Sequence, residues 1–130
     1  MNTSTPTPTP YPGLGADLNV VVVRGTLSSD PVRRELPSGD VVHNYEVTVR
    51  HPTGPADSVP VARFTNGRVP KLEQGDVVVV TGRVRRRFFR AGGSTASRTE
   101  IVADSIVGAT SAKAERAVDT LLGPLFDPPE

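Results

Sequence analysis

Short runs of β-branched residues, separated by residues that favour turns, dominate the middle of the chain. Over residues 45–49 apolar and polar side chains alternate strictly, which is typical of a strand with one face on a core. We interpret six segments as strands or parts of strands: residues 20–23, 41–42, 45–49, 59–64, 77–84 and 98–107. Because no helical period separates them, the pattern predicts an all-β fold, a closed or partly closed barrel.

Two residues within these segments carry separate predictions. Tyr45 occupies an apolar position in the alternation, so we expect it in the core. Pro60 lacks the N–H donor that a strand ladder uses, so its strand should be bent, bulged or at an edge there.

The two ends of the chain follow other patterns. Residues 1–18 hold alternating Thr-Pro pairs and little to bury, which predicts a disordered tail. Beyond the barrel domain, residues 19–108, apolar residues recur at helical spacing, with Ser111 as the N-cap and Gly123-Pro124 as the stop. Residues 109–130 are therefore predicted to form a short amphipathic helix, over 112–122, and a tail. Its apolar stripe packs on the barrel or, alternatively, on a partner.

The composition excludes several classes of protein. With 130 residues, the chain fits one domain with its own core. It has no cysteine, which excludes disulfides, cysteine-based zinc sites and thiol chemistry. Neither a signal peptide nor an apolar run of about 18 residues is present. We therefore expect a cytoplasmic protein without a membrane partner.

No arrangement of residues suggests catalysis. The phosphate-loop, G-x-S-x-G and H-E-x-x-H patterns are absent. His43 and His51 would lie about 26 Å apart on one strand, too far for one metal ion, and we interpret His43 as structural or surface-exposed. The carboxylates resemble ordinary turn and strand-end residues: Glu73, Asp76, Glu100 and Asp104. We predict no catalytic residue, no metal and no cofactor, and hence no enzyme.

Positive charge is concentrated in the predicted barrel. Residues 19–107 carry 13 Lys/Arg against 9 Asp/Glu, whereas the flanks carry 2 against 5. In one continuous strand Arg83, Arg85, Arg87 and Phe89 would share a face, which therefore cannot be core. Cations and flat rings on one face suit the phosphates and bases of a single strand. The alternative is a solvated edge strand, protected from aggregation by its charge.

Four motifs follow one another with compatible gaps. The first is Asn19, an apolar strand, Gly25-Thr26-Leu27 and Asp30-Pro31. The others are an Arg at 33 or 34 with Pro37-Ser38-Gly39 and residues 41–45, Gly75-Asp76 with residues 77–84, and Thr99-Glu100 with residues 101–106. In this order they resemble the OB domain of bacterial single-stranded-DNA-binding proteins.

The resemblance implies a fold and a function. It implies a five-stranded OB-fold Greek-key barrel that binds single-stranded DNA with little sequence preference, in replication, recombination or repair. It further implies a homo-oligomer, tetramer or dimer, associated with the nucleoid. The family's four stacking aromatics fall near Thr53 and on Ser58, Phe64 and Phe89, so two of the four rings are present.

The chain departs from the family pattern in two further places, one connection and the C-terminal tip. The family's short helix between the third and fourth strands is curtailed to residues 65–72, which leaves the oligomeric state open. Its acidic recruiting tip is replaced by the predicted helix and residues 126–130, so we do not expect recruitment of other proteins through such a tip.

These considerations give one set of candidate DNA contacts, for phosphates or for stacking. They are Arg24, Arg50, Arg63, Phe64, Arg83, Arg85, Arg87, Phe88, Phe89, Arg90 and Arg98. The sequence does not separate DNA from RNA as the ligand, because stacking sites accept either sugar. The alternative function is a protein-interaction or structural OB module, which the missing rings favour and the arginine-rich strand disfavours.

Overall fold

A computed structural model of the protein describes residues 17–126, and their side chains as far as Gly123. Most of the predicted N-terminal tail, and residues 127–130, lie outside this range. The elements in chain order are β1 (Val21–Leu27), β2 (Val32–Glu35), β3 (Val41–Val49), β4 (Asp57–Phe64), β5 (Val77–Ala91), β6 (Ser94–Gly108) and α1 (Ala112–Phe126). Each predicted strand segment falls within or overlaps one of these strands. No helix within residues 17–126 has the length and apolar character needed to cross a membrane.

Five strands close on one another in a ring. β1 pairs antiparallel with both β3 and β5, β3 pairs antiparallel with β4, and β5 pairs antiparallel with β6. The parallel pairing of β4 with β6 completes the circuit. This order confirms the predicted OB-type arrangement.

Strand β2 was not predicted. It adds to β3 as an outer sixth strand, and all four of its residues are exposed. A strand without a buried face has no apolar alternation, so only its pairing with β3 reveals it.

The inward-facing side chains fill the ring with one apolar core. Its buried members are Leu27, Tyr45, Val47, Val61, Val78, Val80, Ile101, Ala103 and Ile106. Tyr45 is 2% exposed, which confirms its place in the core. Pro60 lies opposite Glu46 of β3, just before the parallel pairing of β4 with β6 at Val61 and Ala62. At Pro60, β4 is therefore unpaired on the side that faces β6. An edge position is one of the three arrangements expected for this proline.

Helix α1 packs on the outside of β5 and β6. Ala114 is buried against Val79 and Val107, with Val118 beside them, so the apolar stripe rests on the barrel. The predicted stop at Gly123-Pro124 is wrong, because α1 continues to Phe126. Gly123 does not adopt the positive φ of a left-handed cap, and the φ of proline is itself helical, so the missing donor costs one hydrogen bond in the last turn.

Ser111 directly precedes α1 as predicted, but its side chain acts differently. Its hydroxyl donates to the Gly108 carbonyl at 2.8 Å, whereas an N-cap side chain would accept from the helix N–H groups. The Ala114 N–H instead donates to the Ser111 carbonyl at 3.1 Å. The connection from Thr65 to Asp76 contains no helix among its residues, all of which the structure describes, so the curtailed connection is confirmed.

Candidate nucleic-acid interface

The arginine-rich segment lies on a long hairpin that leaves the barrel. β5 and β6 stay paired from Val78–Gly108 to Ala91–Ser94, and Gly92 and Gly93 form the turn with φ values of 58° and 86°. Positive φ at both turn residues is the geometry that glycine supplies most cheaply. Beyond Gly82 both faces of β5 are largely exposed. We call the projecting part of the hairpin, residues 83–99, the arm.

The base of the arm is fixed to the barrel at two places. The Asn19 side-chain amide donates to the Val84 carbonyl at 2.6 Å and accepts from the Val84 N–H at 2.9 Å, so it continues the pairing of β1 with β5. Gly82 sits at a register shift of the hairpin, where its Cα comes so close to Val102 and Ala103 that a Cβ would clash. These contacts set where the arm begins.

Three arginines converge on one carboxylate at this base. Arg85 Nη2 donates to Glu100 Oε2 at 2.7 Å, and Arg87 Nε donates to the same oxygen at 3.1 Å. Arg98 Nε lies 3.4 Å from Glu100 Oε1, and its Nη2 lies 3.6 Å from Glu46 Oε2. We call Glu100 with Arg85, Arg87 and Arg98 the Glu100 cluster.

The interpretation of Glu100 as an ordinary strand-end residue is wrong. The residue is 4% exposed, and burial by itself would raise the pKa of its carboxyl. The hydrogen bond from Arg85 and the charge and hydrogen bond of Arg87 outweigh burial and hold that pKa below its ordinary value. Glu100 therefore stays ionised at neutral pH at the centre of the cluster.

Two aromatic rings border the same cluster. The Arg85 guanidinium carbon lies 5.3 Å from the centroid of the Phe64 ring, and that of Arg87 lies 5.6 Å from the centroid of Phe89. Phe64 is 43% exposed and Phe89 is 40% exposed, so each ring is open to solvent on part of its surface. Guanidinium groups against rings in this range form cation–π contacts.

A depression of about 310 Å³ lies beside the cluster on the outside of the barrel, and Phe64, Arg85 and Arg87 are among the residues that line it. Its lining comes from β2, β3, β4, β5 and β6, together with Leu36: Arg34, Leu36, Val42, Asn44, Ala62, Phe64, Arg85, Arg87 and Glu100. The depression, the Glu100 cluster and the two rings together form what we call the outer face. This face combines cations, exposed rings and a shallow concave surface.

The structure assembles only part of the candidate set on the outer face. Phe64, Arg85, Arg87, Phe89 and Arg98 meet there. Arg83 lies two residues before Arg85, on the same side of β5 and nearer the barrel. Arg90 lies near the tip of the arm, where its Nη2 donates to the Gly93 carbonyl at 3.3 Å.

Four other candidates lie elsewhere. Arg24 borders a depression shared with Glu115 and Asp119 of α1. Arg63 lies opposite His43 of β3. By the alternation of the strand it belongs to the inner side of β4, whereas its neighbour Phe64 belongs to the outer side. Phe88 is on the other side of the arm from Phe89, beside Arg86, and Arg50 is exposed directly after β3.

The residues of this face that sequence analysis missed are Glu100 and Asn44, together with Arg34 on β2. One signal could have found Glu100. If Gly92-Gly93 is taken as a two-residue hairpin turn, counting outward from it places Arg85 opposite Glu100 and Arg87 opposite Arg98, as observed.

The two histidines occupy separate surroundings. His43 is 8% exposed, and burial, followed by the charges of Arg33 and Arg63, lowers its pKa. His51 Nε2 lies 2.7 Å from Asp57 Oδ2 at the surface. Among the described residues, no group of three or more His, Asp or Glu side chains could hold a metal ion.

Comparison with known proteins gives two consistent matches. Residues 18–108 match the model of the single-strand binding protein family. A single-stranded DNA-binding protein of Oceanobacillus iheyensis is 35% identical over 99 residues, an alignment that covers 68% of this chain and 62% of that relative. The match thus spans less than two thirds of the relative's length.

The family match covers the whole barrel and well over half of the chain. Proteins of this family are not enzymes, which confirms the prediction that this chain is not one. The matched range begins one residue before Asn19, where the first of the four motifs starts, and it ends at Gly108, the last residue of β6. The chain therefore belongs to the single-strand binding protein family.

Proposed function

We propose that this protein binds single-stranded DNA with little sequence preference, through the outer face. The observation that carries the proposal is the meeting of two exposed rings and three arginines around Glu100, beside a depression that Phe64, Arg85 and Arg87 line. Arginines contact phosphates, and rings stack on bases regardless of sequence. Membership of the family and the name of the matched relative support the same ligand.

Within the candidate set we place the direct contacts on five residues. Phe64 and Phe89 are the stacking platforms, and Arg85, Arg87 and Arg98 bind phosphates or extend the stacks. Arg83 and Arg90 are flanking contacts for a DNA strand that leaves this surface. Arg24, Arg50, Arg63 and Phe88 belong to the candidate set but lie away from this face, so we expect them to contribute less.

The proposal extends to the biological setting. A sequence-tolerant single-strand binder serves replication, recombination or repair, where unpaired DNA is exposed in the cytoplasm at the nucleoid. We further propose a homo-oligomer, a dimer or a tetramer, as the family resemblance implies.

Fluorescence anisotropy of a labelled oligo-dT tests the ligand. We expect binding whose log affinity falls with log salt concentration by about 0.7 per phosphate contacted. The matching duplex is the control and should bind more weakly, because its bases are not free to stack. If the protein binds no oligo-dT at low salt, the proposal fails and the protein-interaction alternative takes its place. Oligo-U in the same assay measures the preference for DNA over RNA.

Two adjacent phenylalanines test the site. Phe89→Ala removes a platform on the outer face, and we expect it to weaken oligo-dT binding by about 1–3 kcal/mol. Phe88→Ala is the matched control, since Phe88 is 65% exposed on the other side of the arm, beside Arg86. We expect near wild-type affinity for the control. Equal losses in the two variants would show that the DNA does not follow the outer face.

A further inference from the structure

A negative charge at the centre of a phosphate-binding face requires an explanation. Glu100 sits among three arginines of the outer face and reduces the net charge of the cluster to +2. If attraction to phosphates were the only requirement, a neutral residue in its place would serve better. Burial of a carboxylate is also costly unless charged partners surround it. Its place suggests a role in the arrangement of the arginines.

The geometry shows what Glu100 does to its neighbours. Both Arg85 and Arg87 are hydrogen bonded to one carboxylate oxygen, and both also lie against a ring. An arginine held at its guanidinium loses most of its rotamer freedom before any ligand arrives. Arg98 forms an ion pair with Glu100, at 3.4 Å, and reaches the half-exposed Glu46 only at 3.6 Å.

We propose that Glu100 is a positioning residue for single-strand binding. It orders Arg85, Arg87 and Arg98 in the free protein, so that DNA meets guanidinium–ring pairs that are already formed. Ordering these side chains in advance lowers the entropic cost of binding. This inference rests on the proposed function and concerns the same face.

Two glutamates, Glu100 in the cluster and Glu46 beside it, provide a matched test. Glu100→Gln and Glu46→Gln make the same substitution, and each removes one negative charge from the surroundings of Arg98. Glu46 is half-exposed and reaches only the outer arginine, Arg98, at 3.6 Å. If charge alone matters, both variants should bind oligo-dT more tightly at low salt. If Glu100 positions the arginines, Glu46→Gln binds at least as well as wild type, whereas Glu100→Gln binds about tenfold more weakly.

A second readout separates positioning from charge. An abasic oligonucleotide keeps the phosphates but offers nothing to stack, so the ratio of oligo-dT to abasic affinity measures stacking. We expect that ratio to fall in Glu100→Gln and to stay at the wild-type value in Glu46→Gln. If wild type binds neither oligonucleotide, the proposed function itself fails. If wild type binds and the two variants behave alike, only the inference about Glu100 is overturned.

A measurement on the wild-type protein covers the case in which Glu100→Gln does not fold. NMR relaxation of the arginine Nε–H groups reports side-chain motion on the picosecond to nanosecond scale. Without DNA, we expect Arg85 and Arg87 to be as rigid as the backbone and the exposed Arg24 to be mobile. Mobile Arg85 and Arg87 would overturn the inference whatever the variants do.

Discussion

At the scale of single residues, His43 couples the fold to pH. Its neutral form is favoured in the folded state, because burial and the nearby Arg33 and Arg63 charges lower its pKa. The unfolded chain therefore binds more protons as the pH falls below about 6.5, and the contribution of His43 to stability is lost in that range. It is fully present above about 6.5.

Urea unfolding at pH 7.5, 6.5 and 5.5 measures this contribution. We expect wild type to lose stability towards pH 5.5, with a slope from His43 of at most about 1.4 kcal/mol per pH unit. His43→Gln cannot titrate and should lose less over the same range. Glu100 does not interfere, because its lowered pKa confines its effect to more acidic solutions, below about pH 4.5. Parallel profiles for wild type and variant would contradict the assignment.

At the scale of elements, the β5–β6 hairpin depends on a close approach at Gly82. A Cβ there would lie 2.9 Å from Ala103 Cα and closer still to the Val102 carbonyl, and neither backbone atom can turn away. We expect Gly82→Ala to lower the free energy of unfolding by about 1–3 kcal/mol or more.

Gly108→Ala is the control for that prediction. Gly108 is the last residue of β6, and a Cβ there would meet nothing within 4 Å. We expect it to change stability by no more than about 0.5 kcal/mol in the same urea titration. A Gly82→Ala variant as stable as Gly108→Ala would mean that the hairpin can shift its register to make room.

The elements also show which features the sequence could predict. Alternation located the strands with a buried face, and it placed Tyr45 in the core, because burial leaves a period of two in the sequence. It could not reveal β2, whose residues are all exposed, nor that Glu100 faces Arg85 and Arg87. That second fact depends on the register of the β5–β6 hairpin, which alternation alone does not determine.

The same limit explains the separation of Phe88 from Phe89. Parity predicts that adjacent residues of a strand face opposite ways, but it does not tell which face carries the ligand. The choice comes from β2, β3 and β4, which complete the concave surface beside Phe64, Arg85 and Arg87. Only the closed ring of strands brings these elements together.

At the scale of the whole molecule, one end of the β5–β6 hairpin packs against α1 and stabilises the fold, and the other end carries the outer face. The barrel end carries α1 on Val79 and Val107, and the arm end carries the Glu100 cluster. A change under the helix should therefore alter the stability of the protein without altering the DNA-binding surface.

Ala114→Asp tests this division of roles. Ala114 is 5% exposed against Val79 and Val107, so a carboxylate there would lose its hydration against two valines, or α1 would be forced off the barrel. Because the carboxylate would lose hydration or displace the helix, we expect a loss of about 1–3 kcal/mol in thermal or urea unfolding. Ala112→Asp is the matched control, since Ala112 is exposed in the first turn, where a negative charge is favourable. Below their unfolding transitions, both variants should bind oligo-dT as wild type does. Weaker binding by folded Ala114→Asp would show that α1 belongs to the DNA-binding surface.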